Sequence, residues 1–210
     1  MKVLELFSGT GSVGKVCKKL GYEVVSLDKE EKFKPDICID FMDWKNPYKE
    51  RDFDIIWASP PCHTFSNLRR SWIGRKTKYF GDKIITREMI DEDMVNYGLP
   101  LLYKTMDIIA DLNPKYWFIE NPRSSDMKKY IDIDPYIFDY CMYSNWGYQK
   151  PTNIWSNLEG FIPLLCNKNC GNMINGKHKI TLGMNQNTVV NDRYRIPEKL
   201  IMELFKSCNF

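Results

Sequence analysis

Two consecutive prolines, Pro60 and Pro61, set the strongest constraint on this chain. They end the apolar run Phe53–Ala58 (FDIIWA), which at that length reads as a buried strand and not as a helix. Neither proline has a backbone N–H to donate and each fixes φ, so the ladder stops there. The next residue is Cys62, held on a stiff turn at the strand's C-terminal edge. In open parallel α/β sheets that edge is where ligands bind. A cysteine presented there is a candidate nucleophile; the bland alternative is a structural thiol beside a rigid loop.

The rest of the chain supplies the sheet that such an edge needs. Residues 3–7 (VLELF) read as a first strand, and Ser8-Gly9-Thr10-Gly11-Ser12-Val13-Gly14 follows. A helix then places Val13, Val16, Cys17 and Leu20 on one face, with Gly21 as its stop. Strand, glycine turn and helix form the nucleotide-binding unit of a Rossmann-like sheet. The glycines admit a ligand close to the backbone, and the helix N-terminus offers free N–H groups. The second strand, 23–27, ends in Asp28, about 20 residues past the glycine turn, where an acid accepts the ribose hydroxyls of an adenosine cofactor. A third strand, 37–39, ends in Asp40, placed either to accept from an adenine amino group or to cap a turn.

A helix over 99–112 has Leu102, Met106, Ile109 and Leu112 on one side. The strand after it, 116–119, delivers Glu120-Asn121-Pro122 to the edge that carries Cys62. A carboxyl beside a thiol can protonate or orient a substrate. Segments 136–143 and 152–155 read as final strands, antiparallel or mixed, and 197–206 as a helix that packs Leu200, Ile201 and Leu204 on the core. The pattern predicts an α/β fold, a mostly parallel sheet with helices on both faces. We expect a catalytic domain over 1–157, a small irregular insertion over 158–192, and a C-terminal helix within 193–210 that packs back.

A net charge of +3 permits a polyanionic partner without demanding one. Between residues 67 and 97, however, Arg69, Arg70, Arg75 and Lys76 are interleaved with Trp72, Tyr79 and Phe80. That mixture suits phosphate contact with stacking wedges, and its place just after Cys62 makes it a candidate lid. No stretch approaches the roughly 18 apolar residues of a membrane span. The N-terminus runs straight into the glycine loop, so no signal peptide is expected. An intracellular protein without membrane association is the expectation; oligomeric state leaves no sequence signal.

The seven cysteines are odd in number and scattered, as at Cys17, Cys38 and Cys141, which fits a reducing compartment better than a disulfide framework. Cys166, Cys170 and His178 fall short of a zinc signature, because Cys208 would have to supply the fourth ligand. Free thiols and no metal are the expectation there, with structural zinc as the alternative.

The motifs ELFSGTGSVG, VSLD, CIDFMDW, SPPC, FIENP and CMYSNWGYQKPTNIW occur in the order found in cytosine-C5 DNA methyltransferases. The chain resembles the small phage- or virus-type members over residues 2–157 and, more loosely, 193–206. SPPC followed by ENP on the next strand is the specific part of the likeness. The resemblance implies a Rossmann-like methyltransferase fold with a much reduced target-recognition insertion, S-adenosylmethionine as cofactor and double-stranded DNA as partner. It implies Phe7 against the adenine, Gly9 and Gly11 at the methionine part, Asp28 on the ribose, Asp40 on the adenine amino group and Pro60 along the cofactor wall. Cys62 becomes the nucleophile and Glu120 the residue that grips the cytosine. His63, Arg69, Arg70, Arg75 and Lys76 become the nucleic-acid contacts.

The chemistry accounts for those residue types. Cytosine C5 is too weak a nucleophile to attack a sulfonium methyl group, and a thiolate adding to C6 converts the ring to an enamine that is strong enough. The base must leave the duplex to reach Cys62. The chain also departs from the family. His63 replaces the usual Gln, and Pro151 and Asn153 stand at the two arginine positions of QxRxR, which leaves the cytosine O2 to Lys150 or Thr152. Arg193-Tyr194-Arg195-Ile196-Pro197 stands where a Gly-Asn pair closes the cofactor site. These departures keep two other readings open: an RNA cytosine-5 methyltransferase, and a decayed methyltransferase fold that binds nucleic acid without turnover. Retention of Cys62 with Glu120 favours the DNA enzyme.

Overall fold

The computed structural model describes residues 1–182 and 193–209. Strands β1 (Lys2–Leu6), β2 (Glu23–Asp28), β3 (Ile37–Cys38), β4 (Ile55–Ala58), β5 (Tyr116–Pro122), β6 (Tyr136–Asp139) and β7 (Pro151–Ser156) form one sheet in the order β3-β2-β1-β4-β5-β7-β6. The first five run parallel, and β7 lies antiparallel between β5 and β6. This is the α/β architecture expected from the sequence.

The central strands are apolar on both faces because both faces are covered. Helices α1 (Ser12–Leu20) and α4 (Glu198–Ser207) pack Val16, Cys17, Leu200 and Leu204 with Val3, Ile55 and Trp57 on one side. Helix α3 (Leu99–Leu112) packs Leu102, Ile109 and Leu112 with Leu4, Leu6, Ile56 and Ala58 on the other. The chain moves outward from β1 to β3, then returns to lay β4 on the free side of β1, with Leu6 opposite Ala58. A sheet that reverses in this way opens a crevice at the carboxyl edge of the two central strands. The glycine loop and the SPPC turn both start there.

Three expectations change. The segment read as a strand over 136–143 stops at Asp139, and Tyr140–Met142 is a 3₁₀ turn. Past the Asp139–Pro151 pair, Lys150 turns to φ 42°, and the cross-strand contacts lengthen to 3.5 Å from the Tyr140 N–H to the Lys150 carbonyl and 3.3 Å from the Cys141 N–H to the Gln149 carbonyl. On α3, Met106 is 36% exposed, and Thr105 and Ile108 join the buried face in its place. Residues 67–97 are also more ordered than a polar loop. They hold a 3₁₀ turn at Asn67–Trp72, then α2 (Arg87–Asp93), capped by Thr86 Oγ1 accepting from the Met89 N–H at 3.3 Å. A five-residue π turn, Met94–Gly98, leads into α3. The hairpin β8 (Met173–Ile174) and β9 (Lys177–His178) lies within residues 158–182 of the insertion, whose remainder is outside the described residues. Among the described residues no helix is long and apolar enough to cross a membrane.

The π turn ends on a glycine for a steric reason. A Cβ at Gly98 would come within 2.6 Å of Thr64 Oγ1 and 3.1 Å of the Phe65 ring. Gly98→Ala should therefore push the turn that follows Cys62 and destabilise the protein by about 1–3 kcal/mol, as overpacking does. Denaturant unfolding measures this, and unchanged stability would mean that the turn yields freely.

Candidate active site

The glycine loop is built by backbone that only glycine adopts readily. Gly9 and Gly11 have φ of 45° and 66°, and Phe7 joins them in the left-handed region at 58°. Gly11 offers no side chain to cap α1, so Glu5 does the capping from within β1. Its Oε1 accepts from the Val13 N–H at 3.1 Å and its Oε2 from the Gly14 N–H at 2.9 Å. A Cβ at Gly14 would stand 3.1 Å from Oε2, so a larger residue would crowd the carboxylate. Glu5 is 3% exposed. Burial pushes its carboxyl up to about 7, against the opposing pull of the two N–H groups and Lys15. Sequence reading absorbed Glu5 into an ordinary strand; a lone carboxylate inside an apolar run just before a helix start was the signal.

Asp28, at the end of β2, ties this loop to the sheet. Its Oδ2 accepts from the Gly9 N–H at 2.7 Å and its Oδ1 from the Glu30 N–H at 2.9 Å. Each oxygen retains accepting capacity for a ligand hydroxyl. Asp40 is exposed, and its Oδ1 accepts from the Met42 N–H at 2.9 Å. The Phe7 ring packs against Phe41 with centroids 4.6 Å apart. A side chain at Gly11 would meet no protein atom within 4 Å, which leaves open space over the loop. Two carboxylates at successive strand ends, an aromatic ring and an open glycine turn make a donor set that fits an adenosine-type ligand. The Ile196 N–H donates to Ser12 Oγ at 3.1 Å, so residues 193–197 return beside the same loop.

Across the crevice, Asn121 Nδ2 donates to the carbonyl of buried Pro60 at 2.9 Å. The ENP segment of β5 thereby braces the turn that presents half-buried Cys62. Glu120, one residue earlier, is 7% exposed. The buried Tyr140 hydroxyl donates to its Oε1 at 2.9 Å, and the Lys150 ammonium lies 3.8 Å from the same oxygen and 4.7 Å from the Tyr140 ring centroid. Burial, then the Glu120 charge, push Tyr140 far up, so it stays a donor. Burial also pushes the Cys62 thiol up, the charge of Glu120 adds to this, and Lys150 opposes it. Cys62, Glu120 and Lys150 thus act on one another electrostatically. Of the two candidates for the missing arginine, Thr152 donates its hydroxyl to the Lys150 carbonyl at 3.1 Å, whereas Lys150 brings its charge to the site. Asn153 is buried on β7 opposite Asn121.

The basic segment divides into inward and outward cations. Arg69 was expected to touch nucleic acid, and the structure corrects this. Arg69 is 1% exposed, its Nη1 is 2.7 Å from Asp93 Oδ2, and its guanidinium sits 5.2–5.8 Å from the rings of Trp72, Tyr79 and Phe80. The Tyr79 hydroxyl lies 3.0 Å from both Asp93 oxygens and 3.1 Å from His63 Nε2. Partial burial and the Arg69 charge hold the His63 imidazole below its usual value, and the Tyr79 hydroxyl ties it to this cluster. Arg70, Arg75 and Lys76 are exposed, with Arg70 paired to Asp126 at 3.1 Å. Cys166, Cys170 and His178 do come together on the insertion, but Cys208 does not join them. It is buried at the end of α4, where its thiol donates to the Leu204 carbonyl at 3.4 Å.

The sequence matches no family model. A protein of Frog virus 3 (isolate Goorha) named probable DNA (cytosine-5)-methyltransferase is 40% identical over 224 aligned positions, covering 99% of this chain and 100% of the relative. Among solved structures, the Entamoeba histolytica methyltransferase EhMeth aligns with TM-score 0.48 at 16% identity, over 86% of this chain and 57% of its own. A putative DNA modification methyltransferase encoded within a prophage of E. coli gives 0.45 at 15% identity, over 74% and 46%. The chain spans about half the length of these two solved structures.

The cap on α1 has a pH signature. A carboxyl raised from 4.5 to about 7 favours the protonated folded state, so its contribution to stability falls as pH climbs through that window. Relative to Glu5→Gln, the wild type should lose about 3 kcal/mol between those two pH values. Parallel unfolding curves across that range measure it, and a constant difference would show that Glu5 titrates normally.

Proposed function

The chain belongs to the DNA (cytosine-5)-methyltransferase family, and from that premise we propose that it methylates C5 of a flipped-out cytosine in double-stranded DNA through a transient Cys62–C6 bond. The observation that carries this reading is geometric: at the carboxyl edge of β4 and β5, Asn121 braces the turn that presents Cys62, and the adjoining Glu120 is held by Tyr140 and approached by Lys150. When bound, S-adenosylmethionine supplies an electrophilic methyl group. Phe7, Gly9, Gly11, Asp28, Asp40 and Pro60 are the residues we assign to hold it, and their donor set suits its adenosine and amino-acid parts.

The charges describe how the nucleophile is switched on. At rest the Cys62 thiol is protonated, because burial and the neighbouring Glu120 charge both oppose a thiolate. When a cytosine brings N3 to Glu120, the proton released from the Cys62 thiol is taken up by the carboxylate and passed to N3, and the ring becomes a better acceptor for sulfur. Such acid catalysis contributes typically about 10²–10⁴-fold. A carboxyl engaged with N3 no longer opposes the thiolate fully, while Lys150 continues to favour it. The thiol therefore ionises as substrate arrives, its proton balancing the one gained at N3. Sulfur addition at C6 makes an enamine with a nucleophilic C5; loss of the C5 proton and β-elimination later return the thiol. Tyr140 is a positioning residue that holds Glu120 through one oxygen. Lys150 takes the role of donor to the cytosine O2, and Arg70, Arg75 and Lys76 lie outward for the phosphate backbone.

Nucleoside mass spectrometry after incubation with S-adenosylmethionine tests the reading. Wild type should form 5-methylcytosine in DNA, and Cys62→Ala should form none while still binding the cofactor. Product in the variant would remove Cys62 as nucleophile; product in RNA alone would change the substrate. Lys150→Ala should lower kcat/KM by about 10–100-fold, the loss of one charged hydrogen bond, and Lys150→Arg should recover most of it. An unaffected Lys150→Ala would place the O2 contact elsewhere.

A further inference from the structure

A second cluster of reactive side chains, none of which the mechanism uses, lies outside the methyl-transfer site. Cys141 sits on the 3₁₀ turn after β6, Cys166 and Cys170 lie in the irregular stretch of the insertion, and His178 ends β9. One ligand atom from each lies within 4.8 Å of every other. His178 Nε2 stands 3.6 Å from Cys166 Sγ and 3.4 Å from Cys170 Sγ. Zinc–sulfur and zinc–nitrogen bonds of about 2.3 and 2.0–2.1 Å place tetrahedral sulfur and nitrogen ligands about 3.6 Å apart. We propose that Cys141, Cys166, Cys170 and His178 bind a structural Zn²⁺ ion.

The donor set selects the metal. Three thiolates and an imidazole suit zinc and exclude the hard, oxygen-seeking cations. Four protein ligands close the coordination shell and leave no position for a substrate, which is the pattern of a structural centre. On binding, the three thiols release three protons and the site carries one net negative charge.

The surroundings are arranged to bring these ligands together. Buried Asn172 donates from Nδ2 to the carbonyls of Cys141 at 2.9 Å and Ser144 at 2.8 Å, and its Oδ1 accepts from the Gly147 N–H at 2.9 Å. The Cys166 N–H donates to Asp139 Oδ2 at 2.8 Å. Asn175 and Gly176, with φ of 49° and 73°, make the tight hairpin that sets His178 opposite Met173. Among its described residues the same segment exposes much of its apolar surface: Ile162 is 85% exposed, and Leu164, Leu165 and Ile174 are exposed too. A segment that buries so little needs another source of order, and a closed metal centre supplies it. Cys141 also directly follows Tyr140, which holds Glu120. The ion would therefore fasten the insertion to the turn that positions the carboxyl.

The test uses the full chain, purified without chelator. Elemental mass spectrometry should find about one zinc per chain, and cobalt(II) replacement should give thiolate-to-cobalt charge transfer with tetrahedral d–d bands. Cys141→Ser and Cys166→Ser should lose stoichiometric zinc, and Cys208→Ser should retain it. If the ligand variants do not fold, thiol counting on the wild type decides: a chelator should expose three further reactive thiols. Substoichiometric zinc after reconstitution with zinc alone, retention of zinc by Cys141→Ser, or an intact mass two hydrogens light from a Cys166–Cys170 disulfide would overturn the proposal.

Discussion

One backbone hydrogen bond sets the level of the whole site. The Ser59 N–H donates to the Leu6 carbonyl at 3.2 Å, the last rung between β1 and β4. Beyond it, Pro60 and Pro61 have no N–H to donate, and on the other strand Phe7 has turned into the left-handed region. Both strands therefore end together, and the glycine loop and the Cys62 turn leave the sheet side by side. Two further contacts keep those loops in place. Asp28 holds the first through the Gly9 N–H, and Asn121 holds the second through the Pro60 carbonyl. Each brace comes from the end of a neighbouring strand, so the order of the sheet is also the order of the site.

Glu120 is the other fixed point. A carboxylate this deeply placed is tolerated because a phenol donates to it and an ammonium lies close by. Those two partners come from opposite ends of the segment between β6 and β7. Tyr140 lies just after β6, and Lys150 stands just before β7, at φ 42°. Pro151 and Asn153 bring no charge to this place, and the cation beside Glu120 is Lys150, delivered by a left-handed backbone conformation just before the strand.

What was legible in the sequence follows from whether the physics is local. The apolar runs of β1, β4 and β5 are local, and so are the glycine stop of α1 and the proline stop at Pro60. All of them were readable. Glu5 was not, because its role depends on a helix start eight positions away that shares no periodicity with the strand. Arg69 looked like its neighbours Arg70 and Arg75; only the fold shows that Asp93, far along the chain, claims it. Cys141 was passed over beside Cys166 and Cys170 because 24 residues separate it from the nearer one, and the sheet rather than the spacing closes that gap. Cys208, nearer the end of the chain, belongs instead to the packing of α4.

The buried Arg69–Asp93 pair has a consequence for traffic through the site. Its ends lie in the 3₁₀ turn just past Cys62 and in α2, and three aromatic rings surround the guanidinium. Separating such a pair would strand a charge away from water, a cost of about 3–5 kcal/mol. The turn after Cys62 and α2 are thus fastened to each other at these two residues. On the proposed function, a nucleic acid that displaces the turn after Cys62 would have to carry α2 with it or break this pair.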